Sequence, residues 1–165
     1  MPEADMRILL IDPDTRVRSE LTSLLSDEGY DVETCCRLAE AVGRVKDVRF
    51  DCIIMDVKLP ELKGYDAVPI LKTIDPHPRI IMTATRNTKT LEAKVREQDV
   101  FYYYIKSFDR EELKSAVHNV LKDVEKPAVS ARAKGSPTVL IVDDDRDFVQ
   151  ATSKILQSKS YRVVT

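Results

Sequence analysis

Four short apolar runs constrain this chain more than anything else in it: MRILLID (6–12), DCIIMD (51–56), RIIMTA (79–84) and VFYYYIK (100–106). Each is too short for a stable helix, is rich in β-branched or aromatic residues, and stays apolar without alternating. A strand apolar on both sides must be covered on both sides, which is the condition of a parallel sheet between helix layers. YDVETC (30–35) is more polar and predicts an edge strand. Between the runs, apolar residues fall at helical spacing: Val17, Leu21, Leu24 and Leu25, then Leu38, Val42 and Val45. The clearest stripe is Leu113, Ala116, Val117, Val120, Leu121 and Val124. Asp109, three residues before Glu112, predicts a capping box for that last helix. Pro69 is tolerable near the start of a third helix that begins around Tyr65, and would kink the helix if it lay deeper. Five strand–helix units in about 120 residues predict a doubly wound α/β sheet.

The chain also repeats itself. Shifted by 131 positions, residues 7–34 lie on residues 138–165 without a gap. Leu9/Leu140, Asp12/Asp143, Asp14/Asp145, Leu25/Leu156, Tyr30/Tyr161, Val32/Val163 and Thr34/Thr165 are identical, and most other apolar positions stay apolar. The period is that of a whole domain. The expected organisation is one complete domain over 1–125, a linker over 126–137, and the opening of a second copy over 138–165. The linker lies within EKPAVSARAKGSP (125–137), with its two prolines, glycine and small residues.

Composition narrows the class. The net charge of −2 offers no basic field for nucleic acid. No apolar run approaches the roughly 20 residues of a membrane span, and the polar start MPEADM has no signal-peptide core. The three cysteines, with Cys35 and Cys36 adjacent, argue against a disulfide framework and for packing roles in a reducing, cytoplasmic setting.

The buried runs end in polar residues. The first ends at Asp12, the third at Asp56, the fourth at Thr83 and the fifth at Lys106. Open α/β sheets bind ligands outside the carboxyl ends of their strands, so two acids, a hydroxyl and a cation are expected to converge there. Taken singly, an acid after a strand often caps the next helix and a lysine is usually solvated.

These residues resemble the receiver domain of two-component response regulators, over about residues 6–125, and 138–165 resembles the start of another receiver. The most specific stretch is DCIIMDVKLPELKG, with Pro60 four and Gly64 eight residues after Asp56. The resemblance implies a five-stranded flavodoxin-like sheet of order 2-1-3-4-5 with helices on both faces. It implies Asp56 as phosphoacceptor, Thr83 as the hydroxyl that senses the phosphoryl group, and Lys106 as the cation that contacts it. It implies Mg²⁺ held by Asp12, Asp56 and the backbone carbonyl of Lys58, and Tyr103 as an aromatic switch. The partners implied are a histidine kinase or a phosphotransfer protein. The role is that of a phosphoacceptor, not an enzyme, with self-catalysed phosphotransfer at most. In-line phosphoryl transfer to a carboxylate needs cations and donors around the equatorial oxygens, which is why these residue types belong together. A homodimer or partner face is expected on the fourth helix, fifth strand and fifth helix, with Tyr104 among its residues.

Three departures accompany the match. Pro13 stands where the family has a second metal-ligating acid, and supplies neither a side-chain oxygen nor an N–H. Asp14, one residue on, is read as a helix cap and as a possible substitute ligand. Ser107 replaces the proline that usually follows the lysine; a cis bond there costs about 2.5–4 kcal/mol without proline, so a trans bond is expected. VREQDVFYYY lacks the glycine often found before the fifth strand. Three functions are therefore carried forward: a phosphoaccepting receiver with weakened Mg²⁺ dependence, a degenerate receiver acting as a phosphorylation-independent interaction or dimerisation module, and a haloacid-dehalogenase-like phosphohydrolase. The last rests on DPDTR, with Asp12 as nucleophile and Asp14 as acid/base.

Overall fold

The apolar runs become the strands of one parallel sheet. In the computed structural model the described residues are 6–76, 78–106 and 109–125, together with 138–140, 150, 152–154 and 162–164. The chain divides into two units, Met1–Lys126 and Pro127–Thr165. In the first, elements alternate: β1 (Arg7–Ile11), α1 (Thr15–Ser26), β2 (Asp31–Cys35), α2 (Leu38–Asp47), β3 (Cys52–Asp56), α3 (Gly64–Ile74), β4 (Ile80–Ala84), α4 (Lys89–Arg96), β5 (Tyr102–Ile105) and α5 (Arg110–Glu125). The strand order is β2-β1-β3-β4-β5, all neighbours parallel, as expected.

Successive strand residues point to opposite faces, so the sheet has two cores. Leu9, Ile11, Ile53, Met55, Ile80 and Met82 pack with Leu38 and Ala41 of α2, Ala67, Val68 and Leu71 of α3, and Val95 of α4. Ile8, Leu10, Cys52, Ile54 and Ile81 pack with Leu21 and Leu25 of α1 and with Leu113, Ala116, Val117, Val120 and Leu121 of α5. The side chain of Val124 lies outside the described set. Cys35 and Cys52 are buried packing residues, as read from the sequence.

Several local expectations are corrected. Asp109 does cap α5, accepting from the Glu111 N–H at 3.0 Å, but Glu112 does not close a capping box. Its carboxylate accepts instead from the Tyr102 hydroxyl at 2.8 Å, tying α5 to the edge strand. The start of α3 at Gly64 agrees with the one read near Tyr65; Pro69 is its sixth residue, so the Tyr65 carbonyl one turn back receives no N–H from it. Tyr104 does not belong to an exposed face: it is 2% exposed and packs beneath α5. The exposed ring of the aromatic run is Phe101. The glycine missing before β5 is replaced by Asp99, which takes the left-handed conformation itself at φ 55°.

Ser107, the linker 126–137 and the repeat's acids Asp143 and Asp144 lie outside the described residues. In the second unit, β6 (Thr138–Leu140) and β7 (Arg162–Val164) pair in parallel, with Thr138 opposite Arg162 and Leu140 opposite Val164. Subtracting the 131-residue shift gives Arg7 opposite Asp31, which is the register of β1 and β2.

Asp99 pays for a conformation that glycine adopts freely, and its ion pair with Lys72, with Asp99 98% exposed, returns little. Asp99→Gly is expected to raise stability by about 0.5–1 kcal/mol, read as a higher denaturation midpoint with an unchanged slope.

Candidate functional site

The polar strand ends meet. Asp12 directly follows β1, Asp56 closes β3, Thr83 lies in β4 beside Asp56 in register, and Lys106 directly follows β5. Backbone bonds between neighbouring strands fix these ends: Asp12 N–H to the Cys35 carbonyl at 3.2 Å, Val57 N–H to Thr83 at 2.8 Å, and Lys106 N–H to Ala84 at 2.8 Å. Asp12, Asp56 and Thr83 are the buried polar residues of the described core, at 1%, 5% and 0% exposure.

Lys106 organises the pair. Its ammonium lies 2.5 Å from Oδ2 of Asp12 and 2.5 Å from Oδ2 of Asp56. The other oxygen of each acid is held by the backbone two residues on. The Asp14 N–H donates to Asp12 Oδ1 at 2.8 Å, and the Lys58 N–H donates to Asp56 Oδ1 at 2.6 Å. Burial pushes the Asp12 carboxyl above its ordinary value, against the Lys106 hydrogen bond, the Asp14 N–H and the ammonium charge. Burial alone would lower the Lys106 ammonium, but its bonds to Asp12 and Asp56 outweigh this and raise it. Among the described residues the Thr83 hydroxyl is buried with no hydrogen-bond partner. A buried orphan hydroxyl is uncommon, because its desolvation is not repaid.

The remaining candidates separate. Asp14 is exposed and caps α1, accepting from the N–H groups of Arg16 and Val17 at 2.8 and 3.4 Å. This is the helix-cap arrangement read from the sequence, and in it only the Asp14 N–H reaches the acid pair. Among the described residues, no three His, Cys, Asp or Glu side chains form a metal-binding cluster. Tyr103 packs on the α2–α3–α4 core, and its hydroxyl donates to Asn87 Oδ1 at 3.3 Å in the β4–α4 loop.

Two contributors were not singled out from the sequence. The Arg18 guanidinium donates to the Asp12 carbonyl at 2.6 Å, and its place in the first turn of the helix after Asp12 was the available signal. Glu61, in the β3–α3 loop, accepts from the Leu38 N–H at 3.3 Å and so caps α2 from a distance, with no signal in sequence spacing.

The Asp–Pro–Gly spacing now has a physical reason. After Asp56 the chain makes a small clasp: Lys58 bridges Lys63, Pro60 sits at the tip, and the Gly64 N–H returns to the Val57 carbonyl at 2.8 Å. A Cβ on Gly64 would lie 2.2 Å from the Asp56 carbonyl oxygen and 3.0 Å from Val57 Cα. These are backbone atoms that cannot swing aside. Gly64→Ala is therefore expected to destabilise the fold by about 1–3 kcal/mol in chemical denaturation and to shift the Asp56 amide resonance.

The charge balance gives a second prediction. The raised Lys106 value contributes stability that is present below the ordinary lysine range and is lost as pH climbs through the folded value. Asp12 contributes with the opposite balance: its ionised form is disfavoured on folding, so stability falls as pH rises from its unfolded value through its raised folded one. Lys106→Met leaves two buried carboxylates without their cation. It is expected to cost about 3 kcal/mol near neutral pH. The deficit should shrink as pH falls and Asp12, whose carboxyl burial already pushes up, takes up a proton, in paired denaturant melts of variant and parent.

Comparison with known proteins agrees with this geometry. The profile of the response regulator receiver domain matches residues 8–118. The transcriptional regulator NtrC of Azospirillum brasilense is 36% identical over 121 residues, which are 73% of this chain and 25% of NtrC. The chemotaxis protein CheY of Thermotoga maritima is 26% identical over 117 residues, 70% of this chain and 98% of CheY. A CheY-like receiver domain protein from Methanospirillum hungatei JF-1 has the same fold, with a TM-score of 0.69 at 23% identity, covering 74% of this chain and 98% of that one. The chain spans only about a quarter of the NtrC relative's length. The phosphohydrolase reading of DPDTR is set aside, since its supposed acid/base, Asp14, is a helix cap and the match runs through the Asp56 strand. By its strand order, its converged strand ends and this match, the chain belongs to the response regulator receiver domain family.

Proposed function

We propose that this chain is a phosphoaccepting receiver in which Asp56 takes a phosphoryl group from a histidine kinase or a phosphotransfer protein. The observation that carries the reading is the Lys106 ammonium at 2.5 Å from both Asp12 and Asp56, with the unbonded Thr83 hydroxyl one strand away. In the transfer, an Asp56 oxygen bonds to phosphorus as the phosphorus–nitrogen bond to the donor histidine breaks. The electron pair of that bond leaves with the imidazole, which takes up a proton. Negative charge spread over the equatorial oxygens is met by Lys106, already in place. The Thr83 hydroxyl then donates to a phosphoryl oxygen and gives up no earlier bond to do so. Drawing Thr83 inward moves the β4–α4 loop, where Asn87 holds Tyr103, and so alters the surface of α4, β5 and α5. We assign protein partners, including a second copy of the chain, to that surface, from which Tyr104, buried beneath α5, is removed.

Mg²⁺ takes hard oxygen ligands and commonly keeps water or substrate oxygens in its shell. The carboxylates of Asp12 and Asp56 and the Lys58 carbonyl are donors of this kind, so the residues fit the ion. When bound, Mg²⁺ would neutralise charge on the phosphoryl group. Pro13 adds no side-chain oxygen and Asp14 caps α1, so weak Mg²⁺ affinity is expected. The second reading, a receiver fold that binds partners without phosphorylation, rests on Pro13. We extend the receiver reading to the second unit, because β6 and β7 pair in the register of β1 and β2.

Incubation with acetyl phosphate and Mg²⁺ should add one phosphoryl group by intact mass, and Asp56→Asn should abolish it. Pro13→Asp should lower the Mg²⁺ concentration needed by about tenfold or more. No adduct at any Mg²⁺ concentration, in the parent or in Pro13→Asp, would favour the second reading.

A further inference from the structure

We propose that the groove between the β3–α3 clasp and the start of α4 docks an acidic segment of a partner protein, one that carries an apolar side chain flanked by carboxylates. The floor is Val57, Tyr65 and Leu91, and the rim is Lys58, Lys63 and Lys94. All three lysines are exposed, while Val57 is buried and Tyr65 and Leu91 are half-buried.

The rim charges are uncompensated. Lys58 and Lys63 face each other across an antiparallel bridge, which puts their side chains on the same side. Like charges directly opposite destabilise such a pair. Among the described residues, none of Lys58, Lys63 and Lys94 takes part in an ion pair. Lys94 instead stands 5.5 Å over the Tyr65 ring, holding its charge at the groove's edge. This concentration of cations sits on a chain whose net charge is −2. It is a local feature that nothing within the fold uses.

The groove's size and lining select the occupant. Its volume of about 230 Å³ falls below the roughly 300–1,000 Å³ of small-molecule pockets. It suits one side chain of a peptide. An apolar floor rewards a buried aliphatic or aromatic anchor, and a cationic rim steers and orients acids on either side of it. A bare phosphate compound would satisfy the rim and leave the floor unused. The groove is already open in the unphosphorylated chain, so docking can be tested without any phosphodonor, and its failure would leave the phosphoacceptor reading untouched.

The probe is the peptide acetyl-EELFEE-amide, titrated into the ¹⁵N-labelled full chain, with acetyl-QQLFQQ-amide and inorganic triphosphate as comparisons. The acidic peptide should shift amide resonances at Val57, Lys58, Lys63, Tyr65, Leu91 and Lys94, with a dissociation constant on the order of 1 mM or tighter. Added salt should weaken it, and Lys63→Glu with Lys94→Glu should weaken it by about tenfold or more. The variant's spectrum elsewhere should overlay that of the parent, which separates lost binding from lost folding. Shifts centred outside the groove would overturn the proposal, as would equal binding of the glutamine peptide or stronger binding of triphosphate at the same amides.

Discussion

Two buried carboxylates facing a single ammonium set the terms for this molecule. Buried charges persist only when they are paired and hydrogen-bonded, and here each acid is gripped twice, by Lys106 and by a backbone N–H two residues downstream. With all three groups ionised, the cluster still carries one negative charge more than it balances. A site like this invites a further cation and is intolerant of losing the one it has. The parallel sheet makes the arrangement possible, since only parallel strands deliver several carboxyl ends to one edge. The clasp from Val57 to Gly64 closes tightly enough to bring the Lys58 N–H under Asp56, and the absent side chain at Gly64 is the condition for that closure.

Much of this was legible in the sequence because it follows from periodicity. Unbroken apolar runs such as CIIM, short and rich in β-branched residues, fit strands buried on both sides, and the polar residue at the end of such a run emerges at the sheet's edge. The convergence of Asp12, Asp56, Thr83 and Lys106 follows from those two facts. Pro13 was likewise readable as a lost carboxylate, because the proline side chain carries no donor atom.

What escaped was tertiary. Glu112 satisfies the signature of a capping box, yet Tyr102 on the neighbouring strand competes for its carboxylate. Glu61 caps α2 across 23 residues of sequence, a bond no local pattern encodes. Tyr104 reads as an interface tyrosine on an edge strand, but α5 covers that face of β5. The sequence lacks a glycine before β5, and Asp99 keeps the turn by accepting the left-handed conformation. In each case the local preference is real and a contact from elsewhere in the fold decides its outcome.

The shared register of β1–β2 and β6–β7 gives the chain two interchangeable first strands, a known hazard of tandem repeats, in which one copy's strand can slot into the other's sheet during folding. The flanking charges discriminate between them. Arg7 lies opposite Asp31 and pairs with it at 3.0 Å, while Thr138 lies opposite Arg162. The opposite charges that meet where β1 and β2 begin have no counterpart in the sequence at the same register of β6 and β7, so the two near-duplicate strand pairs differ in charge at that position.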